Sequence, residues 1–290
     1  MIKSLSFLKM EGLGNDFIVT HRIRPNHASD HLIAREAIRL CNRRRSIGAD
    51  GFILLLPSKI ADFQMRIFNS DGSEAEMCGN GIRCCALYVK KLKLSRKRSL
   101  IFETNAGSRT TELIKNGLVR VTMGRPVLST PQIPTTCLPS GTAKVSGTML
   151  NEELHVEDRI FKVTAVSMGN PHAVIYENAI TDDLVRVWGK KIENHPFFPK
   201  KTNVEFVKVI SRNEISMRVW ERGCGETMAC GTGACASVVA GIVNKLLGNK
   251  VIVHLPGGDL FVEWDGQETS QVYLTGPATI AFKGSVEINL

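Results

Sequence analysis

The sequence predicts an α/β protein of the α+β kind, built from two pseudo-symmetric domains that each wrap a mixed β-sheet around a central α-helix. Three observations support this fold class. The chain has 290 residues, a length that suits two compact domains better than one. Two of its segments repeat without a gap. Each repeat carries the pattern of a half-buried strand, a glycine-rich turn and a helix.

The repeat gives two cysteines the same local sequence. Residues 65–86, MRIFNSDGSEAEMCGNGIRCCA, align with residues 217–238, MRVWERGCGETMACGTGACASV, at a constant offset of 152 positions. Cys78 and Cys230 coincide in this alignment, and a Gly-x-Gly follows each of them. Glycines at these positions allow a tight turn and leave backbone N–H groups at the start of the helix that follows. The repeat therefore predicts a cysteine beside a helix N-terminus in each half.

A Gly-Asn dipeptide provides a second landmark upstream of both cysteines. In GLGNDFIV it ends at Asn15, 63 positions before Cys78, and in SMGNPHAV it ends at Asn170, 60 positions before Cys230. Chance similarity between two glycine-rich turns would not explain two landmarks in the same order at nearly the same spacing. A duplicated domain with pseudo-twofold symmetry is therefore the favoured interpretation.

Hydrophobic periodicity predicts the remaining elements along the chain. Residues 30–43 suit an amphipathic helix, and the alternation at 63–67 and 215–219 predicts one strand before each cysteine. Helical patterns follow the glycines at 82–92 and 234–247. The second of these is apolar or small almost throughout, which is typical of a helix enclosed by its own domain. Further short strands are predicted at residues 99–104, 118–123, 161–166, 204–210, 251–255, 260–264 and 271–275.

The landmarks also predict the domain boundaries. We expect an N-terminal domain at residues 1–126, with a last strand at 277–290 that returns to it, and a C-terminal domain at 127–276. The first would carry Cys78 and the second Cys230, with the active site in the cleft between them. A proline-rich stretch at residues 126–139 is typical of a linker.

Composition and charge argue against several functional classes. The net charge of +9 invites a nucleic-acid role, but aromatic residues make up only 6% of the chain and none are interleaved with the basic clusters, so we expect no nucleic-acid partner. No apolar run approaches the roughly 20 residues of a membrane span, and the N-terminus lacks a signal-peptide pattern. We therefore expect a cytoplasmic protein without membrane contact, whose eight cysteines are free thiols rather than a disulfide framework.

Two thiols at helix N-termini suit proton transfer at carbon. The positive end of a helix lowers a thiol pKa, so thiol and thiolate would both be accessible near neutral pH. The same N–H groups bind a carboxylate. Two such sites that face each other would place an acid/base on each side of an amino-acid α-carbon, with donors to stabilise the developing charge. The arrangement predicts inversion of configuration without a cofactor.

The motifs together resemble those of the diaminopimelate epimerase family over essentially the whole chain. They are GLGNDF, IGADG, IFNSDGSEAEMCGNGIRC, MGNPH, NVEF, WERGCGETMACGTGAC and LPGGDL, in that order. The resemblance implies two curled sheets, each around a central helix, and epimerisation of LL- to meso-diaminopimelate without PLP or metal, in lysine and peptidoglycan precursor synthesis. It also implies a homodimer.

The resemblance implies roles for individual residues as well. Cys78 and Cys230 would be the two acid/bases, and His172 and Glu221 would tune their pKa values. The substrate-binding residues that it implies are Asn15, Asn69, Gly79, Asn80, Asn170, Asn203, Glu221, Arg222, Gly231 and Thr232. Two positions depart from the family pattern: Gly51 stands where some members have a ligand-binding glutamine, and Glu11 stands where many have histidine.

Several alternatives are open from the sequence. A racemase of the same fold could act on proline, hydroxyproline or histidine, and a non-enzymatic thiol or metal-binding protein is a more distant possibility. The chain has no C-x-x-C and no H-E-x-x-H, which argues against zinc. The Gly-x-Gly-x-x-Ala at 231–236 follows a loop rather than a strand, which argues against a dinucleotide site. A structural role is predicted for the other six cysteines, Cys41, Cys84, Cys85, Cys137, Cys224 and Cys235.

Overall fold

The computed structural model describes residues 2–21, 29–135 and 147–289. The chain divides into two compact units: the first runs to Val121 and resumes at Thr275, and the second runs from Thr122 to Leu274. No helix within the described ranges is long and apolar enough to cross a membrane.

The first unit is a mixed sheet whose strands pair one after another from one edge to the other. Its C-terminal strand pairs antiparallel with β1, β1 with β2, and β2 runs parallel to β3. Antiparallel β3–β4, parallel β4–β6 and antiparallel β6–β7 and β7–β8 pairings complete it. The strands are β1 (Ile2–Gly12), β2 (Asn15–Thr20), β3 (Gly51–Leu56), β4 (Phe63–Asn69), the short β5 (Glu74–Ala75) beside β4, β6 (Ser99–Thr104), β7 (Gly107–Leu113), β8 (Val119–Gly124) and the C-terminal β18 (Thr279–Asn289).

The second unit repeats this pairing scheme. Antiparallel β10–β11, parallel β11–β12, antiparallel β12–β13, parallel β13–β15 and antiparallel β15–β16 match the sequence of pairings from β1 to β7. The duplication seen in the sequence is thus a duplication of topology. The strands are β9 (Glu152–Val156), β10 (Arg159–Ser167), β11 (Pro171–Tyr176), β12 (Asn203–Ser211), β13 (Glu214–Glu221), β14 (Gly225–Thr227), β15 (Lys250–Leu255), β16 (Gly258–Glu263) and β17 (Val272–Gly276).

Each sheet curls around one helix. In the first unit α2 (Gly79–Lys91) packs against β1, β2, β4 and β7, and in the second unit α4 (Gly231–Val243) packs against β10, β11, β12 and β16. Both helices begin at the glycine directly after the cysteine, three residues earlier than the periodicity predicts. Glycine and asparagine are poor helix formers, so the first turn carries no propensity signal.

A second helical layer covers the outer face of each sheet. The helix α1 (Asp30–Cys41) packs on β3 and β4, and a π-helical turn at Leu184–Trp188 runs into α3 (Gly189–Glu193), which packs on β12 and β13. Because each sheet is covered on both faces, its central strands carry apolar side chains on both faces. This accounts for the unbroken apolar run of β3, all of whose residues are buried.

The predicted fold class is confirmed: the elements form curled mixed sheets around central helices. The described part of the proline-rich stretch packs within the second unit, where Ile133 belongs to the hydrophobic core and Val127 bridges to Ser167. The remainder of that stretch, from residue 136, lies outside the described residues, as does Cys137.

Candidate active site

Cys78 caps the N-terminus of α2. Its backbone is extended, with φ −139° and ψ 120°, and its Sγ accepts a hydrogen bond from the Gly81 N–H at 3.4 Å. The thiol is half-buried, and its Sγ lies 3.7 Å from Asn15 Oδ1. The first N–H groups of a helix have no partner within the helix and carry its positive end. The structure thus puts this thiol where an anion is stabilised.

A polar network that runs from the exposed Asp50 to the buried Arg83 surrounds Cys78. Asn15 Nδ2 donates to Asp50 Oδ2 at 2.8 Å, and Asn80 Nδ2 donates to Asn15 Oδ1 at 3.4 Å. The fully buried Arg83 guanidinium donates to Asn80 Oδ1 at 3.0 Å and to the Gly79 carbonyl at 2.9 Å. The three predicted residues Asn15, Gly79 and Asn80 are therefore together at the helix start.

Asn69 occupies a different position. It is the exposed last residue of β4, and its Nδ2 donates to Ser73 Oγ at 3.0 Å within the turn that follows. The repeat aligns it with Glu221 in the second unit. Both residues thus stand at the same end of equivalent strands.

Cys230 caps the N-terminus of α4 in the same way. Its φ is −121° and its ψ is 112°, and its Sγ accepts from the Gly233 N–H at 3.4 Å. The Thr232 hydroxyl lies 3.4 Å from the same sulfur. Only 5% of Cys230 is exposed. The second unit therefore reproduces the thiol-at-helix arrangement, at a more deeply buried sulfur.

A chain of polar contacts leads from a buried carboxyl group toward Cys230. Glu205 Oε1 lies 2.7 Å from His172 Nδ1, His172 Nε2 lies 3.0 Å from Asn170 Oδ1, and Asn170 Nδ2 donates to Thr232 Oγ1 at 3.4 Å. Both Glu205 and His172 are completely buried. The predicted residues Asn170, His172 and Thr232 are thus brought together beside the thiol.

The end of β13 holds the other predicted residues of this unit. Glu221 Oε1 accepts a hydrogen bond from the Thr227 hydroxyl at 2.5 Å. The buried Asn203 accepts from the Arg222 backbone N–H at 2.9 Å and donates to the Pro171 carbonyl at 2.9 Å, so it fixes the loop that carries Arg222. The Arg222 side chain is exposed, where it can meet a carboxylate.

The charge state of Cys230 departs from the sequence-based expectation. Burial, reinforced by the negative charges of Glu221 and Glu205, raises the pKa of Cys230 well above its ordinary value. The predicted lowering of the thiol pKa by the helix is therefore wrong for Cys230, because loss of hydration outweighs the helix terminus. The surroundings of Cys230 in this fold therefore favour its thiol form.

The second glycine of each Cys-Gly-x-Gly allows a strand to pack closely onto the helix start. A Cβ on Gly81 would lie 3.0 Å from Ile53 Cδ1, and a Cβ on Gly233 would lie 2.7 Å from Glu205 Oε1 and 3.3 Å from Cys230 Sγ. The second glycine thus lets the neighbouring strand approach the helix start beside the cysteine. Any larger residue at this position would push the strand and the helix apart.

Comparison with known proteins decides which family this arrangement belongs to. The family model described as diaminopimelate epimerase matches residues 7–129 and 164–281. The chain belongs to the diaminopimelate epimerase family. It is therefore an amino-acid epimerase, and the predicted family and enzyme class are confirmed.

Curated relatives match over nearly the full length. The chain is 49% identical to the diaminopimelate epimerase of Heliobacterium modesticaldum over 98% of its own length and all of that protein. It is 44% identical to the diaminopimelate epimerase of Methanococcus maripaludis over 98% of its own length and all of that protein.

Solved structures with much lower identity share the fold. A hydroxyproline epimerase from Agrobacterium vitis superposes with a TM-score of 0.69 at 15% identity, covering 98% of this chain and 92% of that one. A phenazine biosynthesis protein of the PhzF family from Bacillus anthracis gives 0.66 at 16% identity, covering 99% and 100%.

Four polar residues of this epimerase site were missed from the sequence. All four lie within the recognised motifs: Glu205 in NVEF, Arg83 in CGNGIRC, Asp50 in IGADG and Thr227 in GETMAC. No role was assigned to them, because nothing in the spacing of these motifs distinguishes a side chain that supports the site from one that packs. In the sequence, all four are polar side chains in or next to a segment that is otherwise buried. This feature is informative because a buried polar group needs a hydrogen-bond partner.

The other cysteines have mixed surroundings. Cys41, Cys84, Cys85 and Cys235 are buried, in keeping with a structural role, whereas Cys224 is exposed, so its predicted role in packing is wrong. Within the described ranges, no three His, Cys, Asp or Glu side chains are grouped so that they could hold a metal ion.

Proposed function

We propose that this epimerase interconverts LL- and meso-diaminopimelate by a two-base proton transfer between Cys78 and Cys230. The observation that carries the proposal is the duplicated helix start, where each unit presents a cysteine as the N-cap residue of its central helix. We further propose that the two thiols act on opposite faces of one α-carbon, in the cleft expected between residues 1–126 with 277–290 and residues 127–276.

In the proposed reaction one cysteine, as thiolate, takes the α-proton, and the electron pair of the broken C–H bond moves toward the substrate carboxylate. The other cysteine, as thiol, donates its proton to the opposite face. The substrate leaves with inverted configuration, and the two cysteines have exchanged protonation states. Backbone N–H groups of Gly79, Asn80, Gly231 and Thr232 would stabilise the charge on the carboxylate, since donors fixed in advance cost no reorganisation. These steps need only the two thiols, without PLP or metal.

The distal end of the substrate would be held by polar groups at the ends of equivalent strands. Arg222 suits the distal carboxylate, because its guanidinium can bind both oxygens, and Glu221 suits the distal ammonium. Asn69, Asn170 and Asn203 complete the proposed set. A substrate with amino-acid groups at both ends satisfies all of them, which is the reason to prefer diaminopimelate to an amino acid with one such end.

Glu221 gives substrate binding a means to activate Cys230. Its negative charge is one cause of the raised pKa of that thiol. When an ammonium group pairs with Glu221, this charge is neutralised and the pKa of Cys230 falls. His172, through Asn170 and Thr232, is the second proposed tuning group.

The test is isotope exchange with reduced protein in D₂O. LL-diaminopimelate should give the meso isomer with deuterium at one α-carbon. The same assay with proline, hydroxyproline and histidine separates the alternatives, because exchange into one of these and none into diaminopimelate would overturn the substrate assignment.

The product would supply lysine and peptidoglycan precursor synthesis. A cytoplasmic location and a homodimer are further proposals that follow from the family resemblance. Sedimentation of the purified protein at several concentrations tests the dimer directly.

A further inference from the structure

The pair Glu205 and His172 has no counterpart in the first unit. His172 is opposite Asn203 in the parallel β11–β12 pair, and Glu205 follows two residues later on the same face. The equivalent positions of the β2–β3 pair are Phe17, opposite Gly51, and then Ile53. Glu205 and Ile53 occupy the same place, since each meets the second glycine of its own Cys-Gly-x-Gly.

Strand alternation turns Glu205 toward the active-site helix. Its neighbours Val204 and Phe206 belong to the core beneath α3, on the other face of the sheet. Glu205 Oε1 lies 2.7 Å from where a Cβ of Gly233 would be, at the first turn of α4. The carboxyl group is therefore buried between the sheet and the helix that Cys230 caps.

Fold stability does not account for this pair. The other carboxyl oxygen, Glu205 Oε2, is buried without a hydrogen-bond partner among the described residues, which is unfavourable. Replacing a buried ion pair with apolar residues of similar volume is often neutral or stabilising. Phe17 and Ile53 fill the same two positions in the first unit with apolar side chains. The polar pair is thus a feature of the Cys230 half that the shared topology does not require.

The contacts define the direction of the hydrogen bonds. Asn170 Oδ1 only accepts, so His172 Nε2 carries a hydrogen and donates to it. The remaining hydrogen is shared between His172 Nδ1 and Glu205 Oε1, either on the imidazole or on the carboxyl group. In both cases the pair is neutral overall, and Nε2 keeps its hydrogen.

We propose that Glu205 is a positioning residue of the Cys230 half: by binding His172 Nδ1 it fixes the imidazole with Nε2–H toward Asn170, and thereby orients the Asn170 amide and the Thr232 hydroxyl beside the Cys230 thiol. The inference rests on the proposed function, since Cys230 is the group that benefits. Among the described residues, Glu221 and Cys230 also interact electrostatically with Glu205. Burial raises the pKa of Glu205, in keeping with a shared hydrogen.

Two substitutions separate positioning from packing. Glu205→Ile copies the residue of the first unit and removes the partner of Nδ1. We expect kcat to fall about 10- to 100-fold, by analogy with the loss seen when the hydrogen-bond partner that orients a metal-binding histidine is removed, with little change in KM. Glu205→Gln keeps a group that can donate to Nδ1 and should retain most of the activity. A matched control is Glu214→Gln, which alters the half-buried pair of Glu214 Oε1 and His254 Nε2, 2.8 Å apart, and should leave kcat unchanged.

The ring nitrogens of His172 give a readout that does not depend on activity. In ¹⁵N spectra, assigned by comparison with His172→Gln, Nε2 of the native protein should be protonated throughout the neutral range. Glu205→Gln should preserve this signal, and Glu205→Ile should give averaged tautomers. Averaged tautomers in the native protein, or native kcat in Glu205→Ile, would overturn the proposal. If the native protein shows the fixed tautomer but no exchange into diaminopimelate, the proposed function fails and the positioning role stands.

Discussion

The two cysteines share a backbone setting but have different neighbours. Near Cys78 the buried charged group is the Arg83 guanidinium, which is bound to Asn80 and to the carbonyl of Gly79. Near Cys230 the ionisable groups are Glu205, paired with His172, and Glu221. Burial, reinforced by the charge of Glu221, favours the thiol form of Cys230, so this residue is suited to donate a proton before substrate binding changes its surroundings.

Replacing either cysteine should greatly slow epimerisation without unfolding the protein. Cys78→Ala and Cys230→Ala each remove one proton-transfer group, a loss of about 10²- to 10⁴-fold in kcat for general acid–base catalysis. Steady-state assays of the purified variants, with circular dichroism to check folding, measure this. Cys224→Ala removes an exposed thiol from the same motif and should keep full activity. Native activity in a folded Cys78→Ala or Cys230→Ala variant would exclude that residue from the reaction.

Removing the charge of Glu221 should make Cys230 more acidic. In Glu221→Gln the negative charge that raises the pKa of Cys230 is absent, so the thiolate forms at lower pH. The rate of Cys230 alkylation by iodoacetamide, followed against pH by peptide mass analysis, should move to lower pH in the variant. Glu214→Gln serves as the control, and an unchanged profile in Glu221→Gln would remove Glu221 as a tuning group.

At the scale of the element, the helix start is the functional unit. The close packing of the cysteine, the first helical turn and the strand beneath depends on the second glycine of Cys-Gly-x-Gly. A side chain at this position would meet Ile53 in the first unit and Glu205 in the second. Helix propensity cannot indicate this turn, because the residues that form it are chosen for close approach.

Adding one methyl group at the second glycine should therefore be costly. Gly233→Ala must displace Glu205 Oε1 or Cys230, and overpacking of this kind destabilises by about 1–3 kcal/mol. We expect a lower free energy of unfolding in urea and a larger loss of kcat than stability explains. An alanine variant with native stability and native kcat would contradict the close packing that the structure shows.

The sequence was sufficient for the strands and the twin cysteines, but not for the polar groups behind them. Alternation over Phe63–Asn69 and over Glu214–Glu221 follows directly from burial on one face. Glu205 has its partner 33 positions away, in a neighbouring parallel strand. Strand register decides that meeting, and β11 and β12 are joined by a long connection rather than by a hairpin turn, so no turn geometry in the sequence fixes their register. For the same reason the pKa of Cys230 could not be predicted, since its burial is a tertiary property.

At the scale of the whole molecule, the duplicated topology explains why two halves of different sequence can carry equivalent groups. The order of strand pairings is the same in both units, so equivalent positions meet the same helix end. Each unit could then diverge in its buried side chains while the cysteine stayed in place.

Stability should fall at alkaline pH because several thiols are buried. Burial raises the pKa values of Cys41 and Cys84 to about 12, so both stay protonated in the folded state. In the unfolded chain they ionise near an ordinary pKa of about 8.5. Their contribution is fully present below that pH and is lost as pH rises toward 12. Over this range, the free energy of unfolding should fall by about 1.4 kcal/mol per pH unit for each thiol.

Urea unfolding between pH 8 and 10.5 measures this decline. In Cys84→Ala the free energy of unfolding should fall less steeply with pH than in the native protein, by the contribution of one thiol. A free energy of unfolding that is constant across this interval would mean that these thiols are not held protonated by the fold.

In the proposed mechanism each of two thiols handles one proton, and the early course of epimerisation in D₂O is the most direct test of this division. LL-diaminopimelate is incubated with reduced protein, and product and remaining substrate are separated well before equilibrium. If one cysteine removes the proton and the other supplies a different one, the meso product carries deuterium at the inverted α-carbon while the remaining LL substrate is still unlabelled. Meso product that retains the original hydrogen would show that one group makes both transfers and would contradict the two-cysteine mechanism.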